Sequence, residues 1–444
     1  MMSISLTKRF VTLGSLLVLC AFVSRVSAQG EGLTLQQVVS LALEHNAQIL
    51  QAEEGLAGSA AKVDESRSAL LPQVSALASY ARLGPIASYT VSLGPFGPPI
   101  TMKFGIENIY NAGLSVQHSL FNWGRTQAGI EMSEIGVRLA ESGLELTRQN
   151  VAYQVTQLFY GILLSKEGID VLDQSMHSLE SRLQTTKTRY EAGLASNFDL
   201  LTMEVQIGGI RSRRLEAENN LKKLCLLFNK LTGRDLNEPA LLGGTLTYQA
   251  IAPNLESLVR TAIANRREIG QMKHQESIAM AQVDLTNSLN KPNLNLSVAW
   301  GLRNGFMPNL DVLRGNWNAS VVLAYPLFDG FRVKNQLDQA DVNLKLARMR
   351  SEDMTVAVAM EVNQAVSDVT MNEEKIRIEE VKVKQAEEAL KIAGERHEKG
   401  LLSVVDLLDS HTALENARLS RLQTVYNAIL SRANLDKAIG IAPY

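Results

Sequence analysis

Two periodicities take turns along this chain. In 293–302, Leu294, Leu296, Val298, Trp300 and Leu302 fall on one face and Asn293, Asn295, Ser297, Ala299 and Gly301 on the other. In 317–325, Trp317, Ala319, Val321, Leu323 and Tyr325 alternate with Asn318, Ser320, Val322 and Ala324. The same alternation, weaker, puts Val74, Ala76, Ala78 and Tyr80 on one face of an earlier segment and Tyr110, Ala112, Leu114, Val116 and His118 on one face of the next. Period two with apolar and aromatic residues outside and small or polar ones inside predicts strands of a membrane β-barrel wall, about 72–82, 110–121, 292–302 and 317–328. A soluble sandwich also alternates. The aromatics at matched strand ends, Tyr80 with Trp300 and Tyr110 with Trp317, are what an interfacial girdle requires. The connection 83–109, with Gly84-Pro85, Gly94-Pro95 and Gly97-Pro98-Pro99, reads as a long turn-rich loop. Between the strand pairs the period becomes helical. From Arg125 to about Thr188 and from Arg332 to about Glu395 no proline interrupts, and spacings such as Val151, Val155, Leu158 and Ile162 mark a coiled-coil-like stripe. At 1.5 Å per residue each helix would reach roughly 95 Å.

The chain is written twice. At an offset of 220, Leu35, Val39, Ala42, Ile49, Gln51, Val63, Asp64, Ser68 and Pro72 meet the same residue types at Leu255, Val259, Ala262, Ile269, Gln271, Val283, Asp284, Ser288 and Pro292. At an offset of 207, Leu120-Phe121 meets Leu327-Phe328 and Arg125 meets Arg332. At the same offset the turn from Arg189 to Leu201 meets the turn from Arg396 to Leu408. The change in offset falls in one loop, 83–109 against 303–316. The organisation expected is a segment 1–28, a first repeat 29–232, an inter-repeat equatorial segment 233–253, and a second repeat 254–444, each repeat a helix-strand-strand-helix-helix unit.

The first 28 residues carry Lys8 and Arg9, an apolar run from Phe10 to Val23, and Val26-Ser27-Ala28 as a small-residue cleavage site, the three parts of a secretory signal. That run is too short to span as a helix, and no later segment is apolar for as long, so contact with a membrane falls to the strands. Removing the segment takes away Lys8, Arg9 and Arg25 and no acid, which moves the formal charge from −2 to −5. Nothing in that balance suggests nucleic acid as a partner. Of the two cysteines, Cys20 lies in the signal and Cys225 on a predicted helix, so the mature chain has no internal disulfide. An acylated Cys20 is the alternative fate of the N-terminus, against which bulky Leu19 stands.

Four strands cannot close a barrel, and open edges leave backbone groups unsatisfied in lipid. Three copies supply twelve strands, an even number within the range of closed outer-membrane barrels. Signal, duplication, Leu71-Pro72 opening a strand, Leu327-Phe328-Asp329-Gly330 closing one, and the paired Arg-x-x-x-Gly-Leu-x-Ser-x-x-Asp turns together resemble the TolC-like outer-membrane efflux proteins over nearly the whole mature chain. The resemblance implies an α+β membrane protein. In it, a homotrimeric, twelve-stranded barrel in outer-membrane lipid continues into a long periplasmic α-helical barrel. It also implies the exit duct of a tripartite efflux pump or type I secretion system, a passive conduit gated at its periplasmic tip. The partners implied are a periplasmic adaptor and an inner-membrane transporter of the RND or ABC type, with no cofactor.

The turns have a reading of their own. Gly193 and Gly400 suit the left-handed position after a helix, and Lys187, Arg189 and Arg396 set positive charge where the helix dipole is negative. Ser196 and Ser403 stand three residues before Asp199 and Asp406, as caps of the following helices. Asp409 lies a turn beyond any cap, and its repeat-mate is Thr202. Three copies would turn Asp406 and Asp409 into rings totalling six carboxylates, which would attract cations. By resemblance, Asp199, Asp406 and Asp409 form the periplasmic gate, and Arg189, Gly193, Leu194, Ser196, Arg396, Gly400, Leu401 and Ser403 form the adaptor-docking tip. The chain departs from the family's best-known pattern in carrying His397 and Leu402 where a tyrosine and an arginine hold the tip shut.

The six histidines make no metal-ligand spacing, and no phosphate loop or nucleophile elbow occurs, so the sequence gives an enzyme no support. Each histidine reads as an ordinary surface or packing residue. A periplasmic adaptor also uses long helical hairpins, but it would have a single hairpin flanked by other domains rather than a duplicated unit.

Overall fold

The computed structural model describes residues 32–441 except 104 and 308; the expected signal segment and Cys20 lie outside the described residues. The first half runs α1 (Leu35–His45), α2 (Ala47–Ser68), β1 (Gln73–Arg82), β2 (Ser88–Val91), β3 (Ile100–Lys103), β4 (Asn108–Phe121), α3 (Arg125–Glu191) and α4 (Asn197–Thr232). The second runs α5 (Leu255–Asn265), α6 (Arg267–Ser288), β5 (Asn293–Arg303), β6 (Arg314–Ala324), α7 (Arg332–Glu398) and α8 (Val404–Ala438).

Three features differ from the sequence reading. The 83–109 connection folds partly into a hairpin of β2 against β3. The strand expected to 328 ends at Ala324, two residues before Pro326, which has no N–H for a ladder. The single helix expected at the start of each half is broken in two. At the first break Asn46 is extended, its Oδ1 accepting from the Gln48 N–H while its amide donates to the Leu231 carbonyl at 3.0 Å. At the second, buried Arg266 is extended and donates to the Ala438 carbonyl at 3.1 Å.

The four long strands form one antiparallel sheet in the order β1-β4-β5-β6, so β1 and β6 each keep an unpaired edge. Each strand leads into or out of a helix, and the strand-to-helix junctions are matched. Trp123 and Gly124 before α3, and Gly330 and Phe331 before α7, are all left-handed, with φ between +52° and +81°. The turn is fastened from one side chain back: Asn122 Oδ1 accepts from the Thr126 N–H at 3.3 Å and Asp329 Oδ2 from the Val333 N–H at 3.0 Å.

With 67 residues each, α3 and α7 extend about 100 Å. They pack in three apolar clusters. One joins α1, α2, α3 and α4 around Val39, Ile49, Val155, Ile162 and Phe228. Its counterpart joins α5, α6, α7 and α8 around Ile269, Val362, Val369 and Leu435. The third holds the far ends of α3, α4, α7 and α8 together through Leu179, Met203, Ile210 and Leu407. The stretch between the repeats crosses both long helices: Glu167 on α3 accepts from the Leu246 N–H at 3.0 Å, and Glu373 on α7 from the Tyr248 hydroxyl at 2.7 Å.

Candidate functional site

The register makes a single apolar face of the sheet. Tyr80 pairs with Tyr110, Val74 with Val116, Leu114 with Trp300 and Trp300 with Trp317, so side chains of like parity stand on one side across all four strands. A bulge between Ser119 and Phe121 shifts the parity of β4 and brings Phe121 opposite Leu294 on that face. The face is open: Leu77 aside, which stands on the other side, Val74, Tyr80, Trp300, Trp317, Val321 and Leu323 are all exposed. The opposite face carries Gln73, Ser75, Ser115, Gln117 and Ser297, with a 2.7 Å hydrogen bond between the Ser75 and Ser115 hydroxyls.

Aromatics mark both ends of the apolar face. At the loop end the Tyr80 and Tyr110 rings lie 5.1 Å apart, and Tyr80 donates to Asn108 at 2.9 Å. Trp300 and Trp317 are register partners two same-face positions further in, at the level of Leu114. At the helix end, which the sequence reading missed, Phe121 meets Trp123 edge-on at 5.2 Å and Phe328 meets Phe331 at 5.5 Å. Trp123 and Phe331 sit in the junction turns, where no alternation runs, and at the offset of 207 Trp123 meets Gly330 and Phe331 meets Gly124, so neither a period nor the repeat marked them.

The two tips are built alike. Gly193 (φ +75°) and Gly400 (φ +72°) end the long helices. The Leu194 N–H donates to the Arg189 carbonyl and the Gly193 N–H to that of Tyr190; Leu401 and Gly400 do the same to Arg396 and His397. This paired closure satisfies the last carbonyls, and it usually buries the residue after the glycine. Here Leu194 and Leu401 are left 70% and 71% exposed. The Asp199 carboxylate accepts from both the N–H and the hydroxyl of Ser196, each at 2.9 Å, a complete reciprocal cap. Asp406 accepts only the Ser403 hydroxyl, at 2.6 Å, while its own N–H donates to that oxygen at 3.2 Å. Asp409 is exposed on the same helix face as Asp406, one turn on, and makes no hydrogen bond or ion pair among the described residues. The His397 ring is 3.0 Å from the Leu402 carbonyl, so the two residues that depart from the family's usual pattern meet each other within their own turn. Leu402 packs on the lower cluster.

Between the tips and the equator lies a second polar group, at the seam where the repeats meet. Ser175 on α3 donates to Glu415 on α8 at 2.7 Å, and the His411 ring is 3.4 Å from the same hydroxyl. Arg213 on α4 pairs with the other oxygen of Glu415, whose side chain is 1% exposed. Burial, with Arg182 and Arg418 nearby, pushes His411 down to about 4, so it is neutral at ordinary pH. As residues of amphipathic helices, Ser175, His411 and Glu415 gave no sequence signal of this meeting.

No helix among the described residues is long and apolar enough to cross a membrane; the sheet carries an exposed apolar face on a duplicated helical-hairpin protein. The chain belongs to the outer membrane efflux protein family, whose sequence model matches residues 38–233 and 258–441, one stretch in each repeat. It is 22% identical over 412 residues to outer membrane protein TolC of Vibrio cholerae serotype O1, covering 91% of this chain and 90% of that one. It is 21% identical over 339 residues to the alkaline protease secretion protein AprF of Pseudomonas aeruginosa, covering 75% and 70%. Its fold matches the outer membrane protein VceC of Vibrio cholerae with a TM-score of 0.73 at 18% identity, over 92% of this chain and 96% of that one. It also matches the CmeC outer membrane channel of Campylobacter jejuni with a TM-score of 0.74 at 19% identity, over 91% and 85%. The adaptor alternative falls, because the match runs through both repeats and the relatives are outer-membrane proteins.

Proposed function

We propose that three copies of this chain close a twelve-stranded barrel in the outer membrane and continue as a helical tube across the periplasm. The assembly is the exit duct of an efflux pump or a type I secretion system. The observation that carries this reading is the sheet: one exposed apolar face and two unpaired edges, joined without a break to helices of about 100 Å. Lipid on the apolar face and a neighbouring strand on each edge satisfy both demands at once. The loop-end aromatics Tyr80, Tyr110, Trp300 and Trp317 then lie in the outer interface, and the junction aromatics in the inner one.

The exposed leucines Leu194 and Leu401, framed by Arg189 and Arg396, form the surface that docks a periplasmic adaptor, which in turn links the duct to an RND or ABC transporter. Asp406 and Asp409 form the acidic constriction, with Asp199 serving mainly as a cap. His397 holds its own turn rather than a neighbouring hairpin, so closure at the tip rests on packing and on the carboxylates. The test is direct. Protein extracted in detergent should have the native mass of three chains and should open conducting pores in planar bilayers; a soluble monomer without membrane association would overturn the reading.

A further inference from the structure

The strands and the loops that join them carry few charges. Over 73–121 and 293–328 the residues charged at neutral pH are Arg82, Lys103, Glu107, Arg303, Asp311 and Arg314, all towards the loop end. Two of the cations meet on the polar face of the sheet. Arg303 on β5 is the register partner of Arg314 on β6 and of Asn111 on β4, and its parity is that of Ser297, opposite to that of Trp300. Like charges directly opposite each other on a sheet are destabilising. Nothing offsets them here: neither guanidinium has an ion pair or a side-chain hydrogen bond among the described residues, and Asp311, the acid of their own hairpin, pairs with neither. Arg82, 4.0 Å from Glu107, shares the parity of Tyr80 and so stands on the apolar face.

The end of β5 is held firmly. Asn304, buried and next to Arg303, accepts from the Tyr110 N–H at 2.8 Å and donates to the Asn108 carbonyl at 2.7 Å, so the two arginines stay opposed rather than fraying apart. Further in, the polar face has a bare patch. Gly113 and Gly301 are register partners, and a Cβ on Gly113 would lie 2.7 Å from the Trp300 carbonyl oxygen and one on Gly301 2.5 Å from that of Ala112. The recess over them, of 170 Å³, is lined by Asn111, Asn316 and Asn318, whose side-chain amides have no partner among the described residues.

Resting on the trimer argued above, we propose that this group is an anion site, in which Arg303 and Arg314 of three copies ring the outer mouth of the duct and bind multivalent, phosphate-bearing solutes. The planar fork of arginine takes phosphate oxygens in pairs, rings of arginine favour anions, and the asparagine amides below add neutral donors. The mouth thereby has the opposite sign to the acidic tip.

Sodium tripolyphosphate is the probe, added to each side in turn of planar bilayers holding the parent trimer. It should block current at far lower concentration from one side than from the other, and less in high salt, which screens exposed charges. Arg303→Gln combined with Arg314→Gln should raise the concentration for half-block about tenfold or more, through the loss of charge-assisted hydrogen bonds. Arg82→Gln, at the same end of the sheet but on its apolar face, should leave that concentration unchanged. The double variant's trimer should dissociate at the parent's temperature or a higher one, since a repulsion has been removed; a lower temperature would make the arginines structural and overturn the proposal. Conducting trimers that tripolyphosphate does not block, a block that survives the double variant, or an equal loss in Arg82→Gln overturns the anion site and leaves the exit-duct reading intact. Absence of conducting trimers removes both.

Discussion

Ser175 and Glu415, 240 residues apart in sequence, are joined by a 2.7 Å hydrogen bond across the seam between the repeats. Glu415 is almost wholly buried, whereas its cationic partner Arg213 keeps a side chain 38% exposed. The pair is thus unequal: the anion depends on the cation, and the cation has water as a substitute.

That inequality sets an order of effects. Arg213→Met leaves a buried, unpaired carboxylate and should destabilise the assembly by about 3–5 kcal/mol. Glu415→Gln keeps the shape and the Ser175 contact and releases Arg213 to solvent, for about 1–2 kcal/mol. Thermal unfolding in detergent at neutral pH checks the order, and a larger loss for Glu415→Gln would refute it.

His411 gives the seam a pH dependence. Its folded value, near 4, lies below the ordinary value of about 6.5 that it has when unfolded. The unfolded chain therefore binds more protons between those limits, and stability rises with pH across them. The contribution is complete above about pH 6.5 and is lost as pH falls towards 4, by up to about 3 kcal/mol per chain. His411→Gln should flatten the unfolding midpoint across this window relative to the parent protein. Parallel profiles for the two would show that burial, with Arg182 and Arg418 nearby, does not hold the ring neutral.

Asp409 has no capping duty and Asp406 has half of one. Asp409→Asn should reduce cation selectivity and weaken block by multivalent cations in planar bilayers, with trimer stability unchanged. Asp406→Asn should do the same and also lower stability, by up to about 1 kcal/mol for the loss of a charge near a helix N-terminus. Unchanged selectivity in intact Asp409→Asn trimers would locate the constriction elsewhere.

For the tip, Leu194→Ser and Leu401→Ser should abolish most efflux in cells while leaving trimer mass and bilayer conductance intact, because neither leucine is used in the chain's own packing. Cysteine at Leu401 should crosslink to an adaptor hairpin more efficiently than cysteine at Leu402, which faces the core cluster. Full efflux with both leucines replaced would exclude them from docking.

The sheet and the long helices were legible because each follows a period that one face enforces. Val74, Leu114, Val298 and Val321 announce a lipid-type face without reference to any other segment, and Gly193 and Gly400 announce the ends of helices through backbone conformation alone. The breaks at Asn46 and Arg266 were not legible. Neither lies beside a proline or a glycine, and each is fixed by a contact to a distant carbonyl, of Leu231 or of Ala438. The seam was hidden for the same reason: Ser175 and Glu415 meet through the superposition of two hairpins, and each alone is an ordinary helix residue.

The unpaired edges of β1 and β6 also bear on how the cell makes such a pore safely. A lone sheet of this kind would carry two rows of unsatisfied N–H and C=O groups into hydrocarbon, at several kcal/mol for each group. Partial rings of one or two copies are therefore expelled by the same physics that seals the complete one. Stoichiometry becomes a checkpoint on insertion, and the bilayer is spared a leak from any unfinished assembly.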